Sequence, residues 1–429
     1  MTSSNSRRPA GVFYGWRITA AAFLTFGLSV GIPYYNIPFF YDYFHRAFGW
    51  SRADITLGFP LAALLTIWAG PLLIPKFSPR KLILFGTAVT ALAFLGFGLM
   101  GGSLPVYYGL WVLYTIGYLA SGPIAHQIIV SNWFRRKRGT AMGIVYVGVG
   151  LLGSVGSLLV KPVTAAHGFR TALFMIGGLA LLAWPLAILI LKDRPAEVGQ
   201  NPDGDAEAAA EVSAASHSFG DLLRSWPFWL LLLASFCSIG AIGAVNFHMK
   251  FVFLDEGFHA GDQLDSTWRT ASVLILWSSI LGRLSIGYFA DMFSKKHVMT
   301  ASYVLSAATI PLLLQVRPPE TPYLFAILFG FAMGADYMLI PLMAAEQFGV
   351  NSLARAMAII LPVNTIGQTW FPYFVSLVRQ RYGSYTIAMG CVLGLAALGA
   401  LAIAILPKRR FAAAPAIPGA SPDPASLRK

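Results

Sequence analysis

The chain has 429 residues, 56% hydrophobic and only 11% charged, against roughly a quarter charged in ordinary soluble domains. Its net charge of +13 would suit a nucleic-acid partner, but the basic residues stand in short clusters between apolar runs, which excludes that class and points to a bilayer. Cys237 and Cys391 lie in separate apolar runs with no CxxC or Cys/His spacing, so neither a disulfide framework nor a metal site is expected, and no cofactor is implied.

Residues 1–12 carry Arg7 and Arg8 and lead into an apolar run without a small-residue cleavage signature, so they read as a tail before the first span. A helix crosses the apolar core in about 20 residues. Runs broken by Pro, Gly and charge predict spans at 14–36, 54–74, 81–102, 105–130, 139–162 and 170–191. Residues 193–222 are polar, Ala/Ser-rich and aperiodic, which predicts a flexible connection. Further spans follow at 226–252, 267–290, 297–316, 321–346, 354–378 and 384–406, and an Ala/Pro-rich tail closes the chain. The expected fold is an all-α membrane protein of 12 transmembrane helices. It divides into a six-helix bundle (1–192), a linker (193–222), a second six-helix bundle (223–407) and a tail (408–429).

With this layout 21 Lys and Arg fall on the side of the N-terminus, among them the clusters at Arg80-Lys81, Arg135–Arg138 and Lys295-Lys296. Nine fall on the other side, and Arg283 belongs to neither. Both termini are therefore expected in the cytoplasm.

The two halves read as a duplication. Phe77-Ser78 before Arg80-Lys81 recurs as Phe293-Ser294 before Lys295-Lys296, and Phe134 with Ala141-Met142 recurs as Phe348 with Ala356-Met357. Trp16 with Phe23 recurs as Trp229 with Phe236 at nearly the same offset, giving two parallel six-span units.

Several segments carry a more specific likeness. They are Phe13-Tyr14-Gly15-Trp16, Phe48-Gly49-Trp50-Ser51-Arg52, Asn132-Trp133-Phe134 running into Arg135–Arg138 and Gly139, and Asp193-Arg194-Pro195 with Asn201-Pro202-Asp203-Gly204. With Gly287-Tyr288-Phe289-Ala290-Asp291, they make the whole chain resemble the major facilitator superfamily, and within it the bacterial monocarboxylate-transporter-like group. The superfamily's loop motif is present in the second half as Gly287, Asp291 and Lys295, a gating element. The first half departs from it, with Ile74 where Asp is usual.

Arg283 is the leading candidate for substrate contact. It lies eight residues before Asp291, about 12 Å along a helix, and a charge at that depth costs several kcal/mol. Its counterpart in the duplication is Thr66, so the shared fold does not require it. A guanidinium offers a planar fork to a carboxylate at any ordinary pH. The resemblance implies the same role, since the corresponding arginine binds substrate carboxylate in that family. The competing structural reading is an ion pair with Asp336, which sits at similar depth. Asp336 could also carry a proton when substrate displaces it. The run around Asn364 and Gln368 has no Lys or Arg to clamp a second carboxylate, which favours monocarboxylates.

Tyr34, Asn36, Tyr114, Tyr118, Asn246, His248 and Tyr337 are placed around the same site, although aromatics at these spacings more often pack helices or mark interfaces. His248 is a second proton candidate or a packing histidine, and His126 reads as packing. Gly27-Leu28-Ser29-Val30-Gly31 and Gly148-Val149-Gly150 with Gly153 match hydrolase and dinucleotide patterns, but neither has the strand context, and close helix packing is the better account.

The function so implied is proton-coupled symport of a small monocarboxylate anion by alternating access in a bacterial inner membrane. The partners are protons and the lipid bilayer, with no nucleic acid, and the chain acts as a monomer. The alternatives are exchange or export of an oxalate-like, formate-like or larger organic acid. A non-transporting sensor would call for a signalling domain that the sequence does not contain. No enzymatic activity is expected.

Overall fold

The computed structural model describes residues 13–205, 217–258, 262–316 and 321–407. The expected tails, Arg7, Arg8, Arg317 and linker residues 206–216 lie outside them. Among the described residues every regular element is helical. The first, α1 (Gly15–Phe48), runs well past the predicted end at 36 because its last turns are amphipathic. There Phe44 packs on Tyr107 and Phe169, while Asp42 and Arg46 stay on the polar side until Gly49, at φ 70°, ends the helix.

The second crossing, α2, is Arg52–Leu65 with Ala69–Lys76, bent by 47°. At the break the Thr66 hydroxyl turns back to Ala62 O (2.7 Å). Next come α3 (Pro79–Leu99) and α4, which is Leu104–Ser121 continued after Gly122 as Pro123–Trp133. The helical run Arg138–Leu189 is too long for one crossing and folds back at Gly168, at φ 83°. Its two ends share a side, since Trp133 Nε1 donates to Lys192 O (2.9 Å) and Asn132 Nδ2 to Asp193 O (3.0 Å). We therefore number 138–167 as α5 and 169–189 as α6. The second six are α7 (Trp226–Asp255), α8 (Asp262–Met292), α9 (Lys295–Leu313), α10 (Thr321–Phe348), α11 (Val350–Tyr382) and α12 (Tyr385–Ile405). Among the described residues eight helical stretches are individually long and apolar enough to span a bilayer, or up to nine with the bent pair. Dividing the run at Gly168 and adding α4 and α9 accords with the twelve crossings expected.

Glycine lets α1 and α5 touch. A Cβ on Gly31 would stand 2.5 Å from Val149 O, and one on Gly148 would stand 2.3 Å from Phe23 O. The two glycine patterns that mimic enzyme motifs are thus two sides of one helix contact, and α1 takes a π turn at Gly27–Gly31 along it.

The first and last six helices meet chiefly through α5 with α8 and α2 with α11. A Cβ on Gly139 would fall 2.3 Å from Gly287 O, and one on Gly70 would fall 2.3 Å from Ala358 O. Both approaches lie toward the Lys/Arg-rich end. The segments carrying the family likeness cluster there too: Phe13 packs on Trp133 and Phe134, Tyr14 Oη donates to Ile190 O, and Arg80 N donates to Asp193 Oδ1.

At its described ends, 193–205 and 217–222, the linker is more ordered than the flexible connection expected. Residues 193–205 are tied down, with the Asp203 carboxylate accepting from the amides of Arg135 (3.0 Å) and Arg136 (2.9 Å). Phe219–Arg224 is a helix whose Ser218 and Asp221 form a reciprocal cap. Polar composition here supplies caps and loop anchors rather than disorder. The proposed duplication gains a local parallel, because Ser78 and Ser294 both sit at the N-cap position of the helix after the loop.

Candidate functional site

A cavity of about 90 Å³ lies between the two sets of helices. From the first set it is lined by Phe26, Val30, Tyr34 and Tyr35 on α1, Tyr118 and Pro123 on α4, and Tyr146 and Val149 on α5. Arg283 on α8, Met333, Gly334 and Tyr337 on α10, and Gln368 on α11 close the other side. Five expected residues therefore come together: Arg283, Tyr34, Tyr118, Tyr337 and Gln368.

Arg283 is 8% exposed, and its Nε and Nη1 have no hydrogen-bond partner. No carboxylate is among the residues lining the cavity. The guanidinium fits against α5 where Gly150 leaves room, since a Cβ there would lie 2.9 Å from Nη1. A buried cation without a counter-charge is costly, and an entering anion with two acceptor oxygens removes that cost.

The expected ion pair with Asp336 is not formed. Asp336, 2% exposed, accepts from Ser238 Oγ (2.6 Å) on α7, and its Oδ1 has no hydrogen-bond partner. The reason is azimuth. Tyr337 faces the cavity, and the preceding residue points about 100° away around the helix. Asp336 is thus a separate buried carboxylate behind the cavity wall.

Tyr34 and Tyr118 stack with centroids 6.0 Å apart, making an aromatic wall opposite Arg283's side. Tyr337 Oη donates to Gln368 Oε1 (2.7 Å), linking α10 to α11.

The other expected residues have structural duties. Asn36 Nδ2 donates to Ile32 O (2.9 Å) and Gly153 O (3.0 Å), fixing α1 to α5. Tyr114 is buried against Phe94 and Trp111 in the core of the first six helices. Asn246 is exposed, its Nδ2 donating to Ile242 O and touching Met333 Sδ (3.6 Å), and it does not line the cavity. Asn364 is buried and accepts from Ser235 Oγ (3.1 Å). Both ring nitrogens of His248 are engaged, Nε2 with Pro372 O (2.8 Å) and Nδ1 with Tyr385 Oη (3.0 Å). It joins α7 to α11 and α12, away from the cavity. His126 packs as expected, between Thr25 Oγ1 and Gly122 O.

Tyr146 was missed by the sequence reading. It lines the cavity beside Arg283 and accepts a short hydrogen bond from Gln127 Nε2 on α4. A signal existed: Gly139, Gly143, Tyr146, Gly150 and Gly153 recur at spacings of three and four, one face of a helix. A lone tyrosine in a glycine stripe marks the face that meets the opposite helices.

The loop motif is assembled at the basic end. Asp291 Oδ1 accepts from Gly139 N (2.6 Å), and Oδ2 accepts from Thr140 N (2.8 Å) and Thr140 Oγ1 (2.7 Å). The carboxylate thereby caps the start of α5 from α8. Lys295 pairs with Glu346 at 3.2 Å. At the corresponding place in the first half Ile74 is buried and makes no such bond.

Comparison with known proteins agrees with this architecture. Residues 18–273 match the family model described as Major Facilitator Superfamily. An "MFS-type transporter" of Gibberella moniliformis is 26% identical over 412 residues, covering 91% of this chain and 90% of the relative. "Monocarboxylate transporter 12" of Rattus norvegicus is 24% identical over 429 residues, covering 90% and 84%. The crystal structure of the E. coli fucose:proton symporter FucP superposes with a TM-score of 0.71 at 14% identity, over 92% of this chain and 100% of that one.

Proposed function

The chain belongs to the Major Facilitator Superfamily, and we propose that it is a symporter carrying a small monocarboxylate anion together with a proton. It is a multi-pass membrane transporter, not an enzyme. The observation that carries the substrate reading is Arg283: buried, without a partner on Nε or Nη1, and facing a cavity lined by no carboxylate. The cavity's volume of about 90 Å³ suits a small acid, whereas drug-sized ligands occupy roughly 300–1,000 Å³. In this reading Arg283 takes the carboxylate, the stacked Tyr34 and Tyr118 flank the short carbon chain, and Tyr337 with Gln368 closes the far wall.

Asp336 is the proposed proton carrier. It has no cationic partner among the described residues, and it precedes a cavity-lining tyrosine on the same helix. A proton gained there and an anion gained at Arg283 leave the occupied protein with no added net charge, which lowers the cost of moving both across the bilayer core. Alternating access would proceed by parting α5 from α8 and α2 from α11 at the basic end, and the excess of Lys and Arg there supports a cytoplasmic orientation of that end.

The test is uptake of radiolabelled lactate, pyruvate and acetate into proteoliposomes, with and without an inward proton gradient, comparing the wild type with Arg283→Ala. Gradient-stimulated uptake lost in the variant is the expected result. Counterflow without any response to pH would reassign the chain to anion exchange, and no uptake by folded wild type across the panel would refute the monocarboxylate reading.

A further inference from the structure

A second cavity, of about 300 Å³, opens at the basic end, apart from the central one. Its walls include Ser131, Arg135 and Arg138 at the α4–α5 turn, Arg194 and Gln200 after α6, and Val350 at the start of α11. Among the described residues three guanidinium side chains line it, and no carboxylate does.

The nearby acids are held by other groups, although Asp203 also offsets part of the charge of Arg138. Asp203 is bound to the amides of Arg135 and Arg136, Asp205 pairs with Arg136 (2.5 Å), and Glu197 accepts from Arg194 N (2.9 Å). Arg138 is buried, with Nε on Phe134 O (2.9 Å) and Nη2 on Ser131 O (3.2 Å), so its position is fixed by the turn. Ser131 is 2% exposed, and its Oγ has no hydrogen-bond partner. The N-cap of α11, Gly349, offers no side-chain acceptor to this 33-residue helix, whose positive end therefore adds to the field.

We propose that this cavity binds an oxyanion of phosphate chemistry, supplied either as free phosphate or as a phospholipid headgroup. A single carboxylate needs one guanidinium fork, whereas a phosphate has oxygens enough to take one from Arg135 and another from Arg194, neither of which pairs with a carboxylate among the described residues. Ser131 Oγ supplies a neutral donor at the wall. The anion joins the α4–α5 turn and the segment after α6 to the start of α11, so it links the first six helices to the last six at the end where Asp291 also acts. Its binding therefore favours closure of that end, whichever acid the central cavity carries.

The experiment uses the full chain purified in a neutral detergent. Thermal unfolding is followed in sodium phosphate and in sodium chloride of equal ionic strength. A parallel arm uses nanodiscs of phosphatidylglycerol or phosphatidylcholine. We expect a saturable rise in Tm with phosphate, or with phosphatidylglycerol alone if the headgroup is the source. That rise should be lost in Arg135→Ala/Arg194→Ala and reduced in the milder Arg194→Gln, while Lys76→Ala/Lys81→Ala, which removes equal charge outside the cavity, retains it. Equal rises in wild type and all variants, or no rise with either phosphate or phosphatidylglycerol, would overturn the proposal. If the double variant does not fold, Arg194→Gln alone decides.

Discussion

Substituting Gly150→Ala tests the central site without replacing any group that would contact substrate. The new methyl would stand 2.9 Å from Arg283 Nη1 and 3.8 Å from Leu276 Cδ1. Since unstrained contacts begin near about 3.5 Å, the guanidinium must retreat by roughly half an ångström. The atom that moves is the end of a flexible side chain, so folding should survive with little loss. A carboxylate held by a two-point fork is less tolerant. Losing or stretching one charge-assisted hydrogen bond costs about 1.5–3 kcal/mol, which corresponds to an increase in KM of about ten- to a hundredfold. Proteoliposome uptake over a range of lactate concentrations reads KM, and a melting curve of the same preparation reads stability. As a contrast, Gly148→Ala directs its Cβ at a backbone atom, Phe23 O at 2.3 Å, and should lower Tm first. If Gly150→Ala leaves KM within twofold of wild type while transport remains measurable, Arg283 does not hold the carboxylate.

Asp291→Asn removes the charge from a group that accepts from two amides and a hydroxyl across the α5–α8 contact. With Cys391→Ser as background, a cysteine placed by Ala290→Cys, beside Gly139, should be labelled severalfold faster by a membrane-impermeant thiol reagent in the Asn variant; an equal rate would refute the latch. Asp336→Asn should abolish gradient-driven accumulation while preserving counterflow, because the anion site stays intact. A variant that still accumulates substrate against its gradient would remove Asp336 from coupling. His248→Gln breaks ties to Pro372 and Tyr385 and should cost about 1–3 kcal/mol of stability, read as a lower Tm, with the pH dependence of uptake unchanged. A shifted pH profile would return His248 to the proton pathway.

Depth in the membrane was legible in the sequence, and direction around a helix was not. Span positions follow from apolar runs, and most predicted limits lie within a few residues of the helices seen. The expectation that Arg283 and Asp336 share a depth depends only on distance from a charged loop. Whether they meet depends on rotation, and a helix hydrophobic all round carries no strong stripe to fix it. Asn36, Tyr114, Asn246, His248 and Asn364 were grouped with the site and do not line the cavity, for the same reason. A polar residue in a span satisfies itself on any neighbouring helix, and the sequence does not say which. The glycine stripe on α5 was the exception, because small residues must face whatever comes closest, and Tyr146 lies within it.

The two contacts that close the basic end are built from different chemistry, although the helices are equivalent. Between α5 and α8, Asp291 bonds two amides and a hydroxyl in addition to the glycine approach. Between α2 and α11 the glycine approach remains, but Ile74 stands where a carboxylate would, and the start of α11 is tied instead to the linker. There His217 N donates to Ser352 Oγ (2.9 Å), and Arg355 Nη1 donates to His217 O (3.1 Å). Opening α2 from α11 therefore exposes mainly apolar surface, while opening α5 from α8 must also break charge-assisted bonds. Arg283 lies on α8, two turns from that ionic contact, and Gly143 packs directly on its carbonyl. The guanidinium is thus rooted in the helix whose release is most tightly held, which would give an anion bound by it in the central cavity a direct mechanical route to the α5–α8 contact.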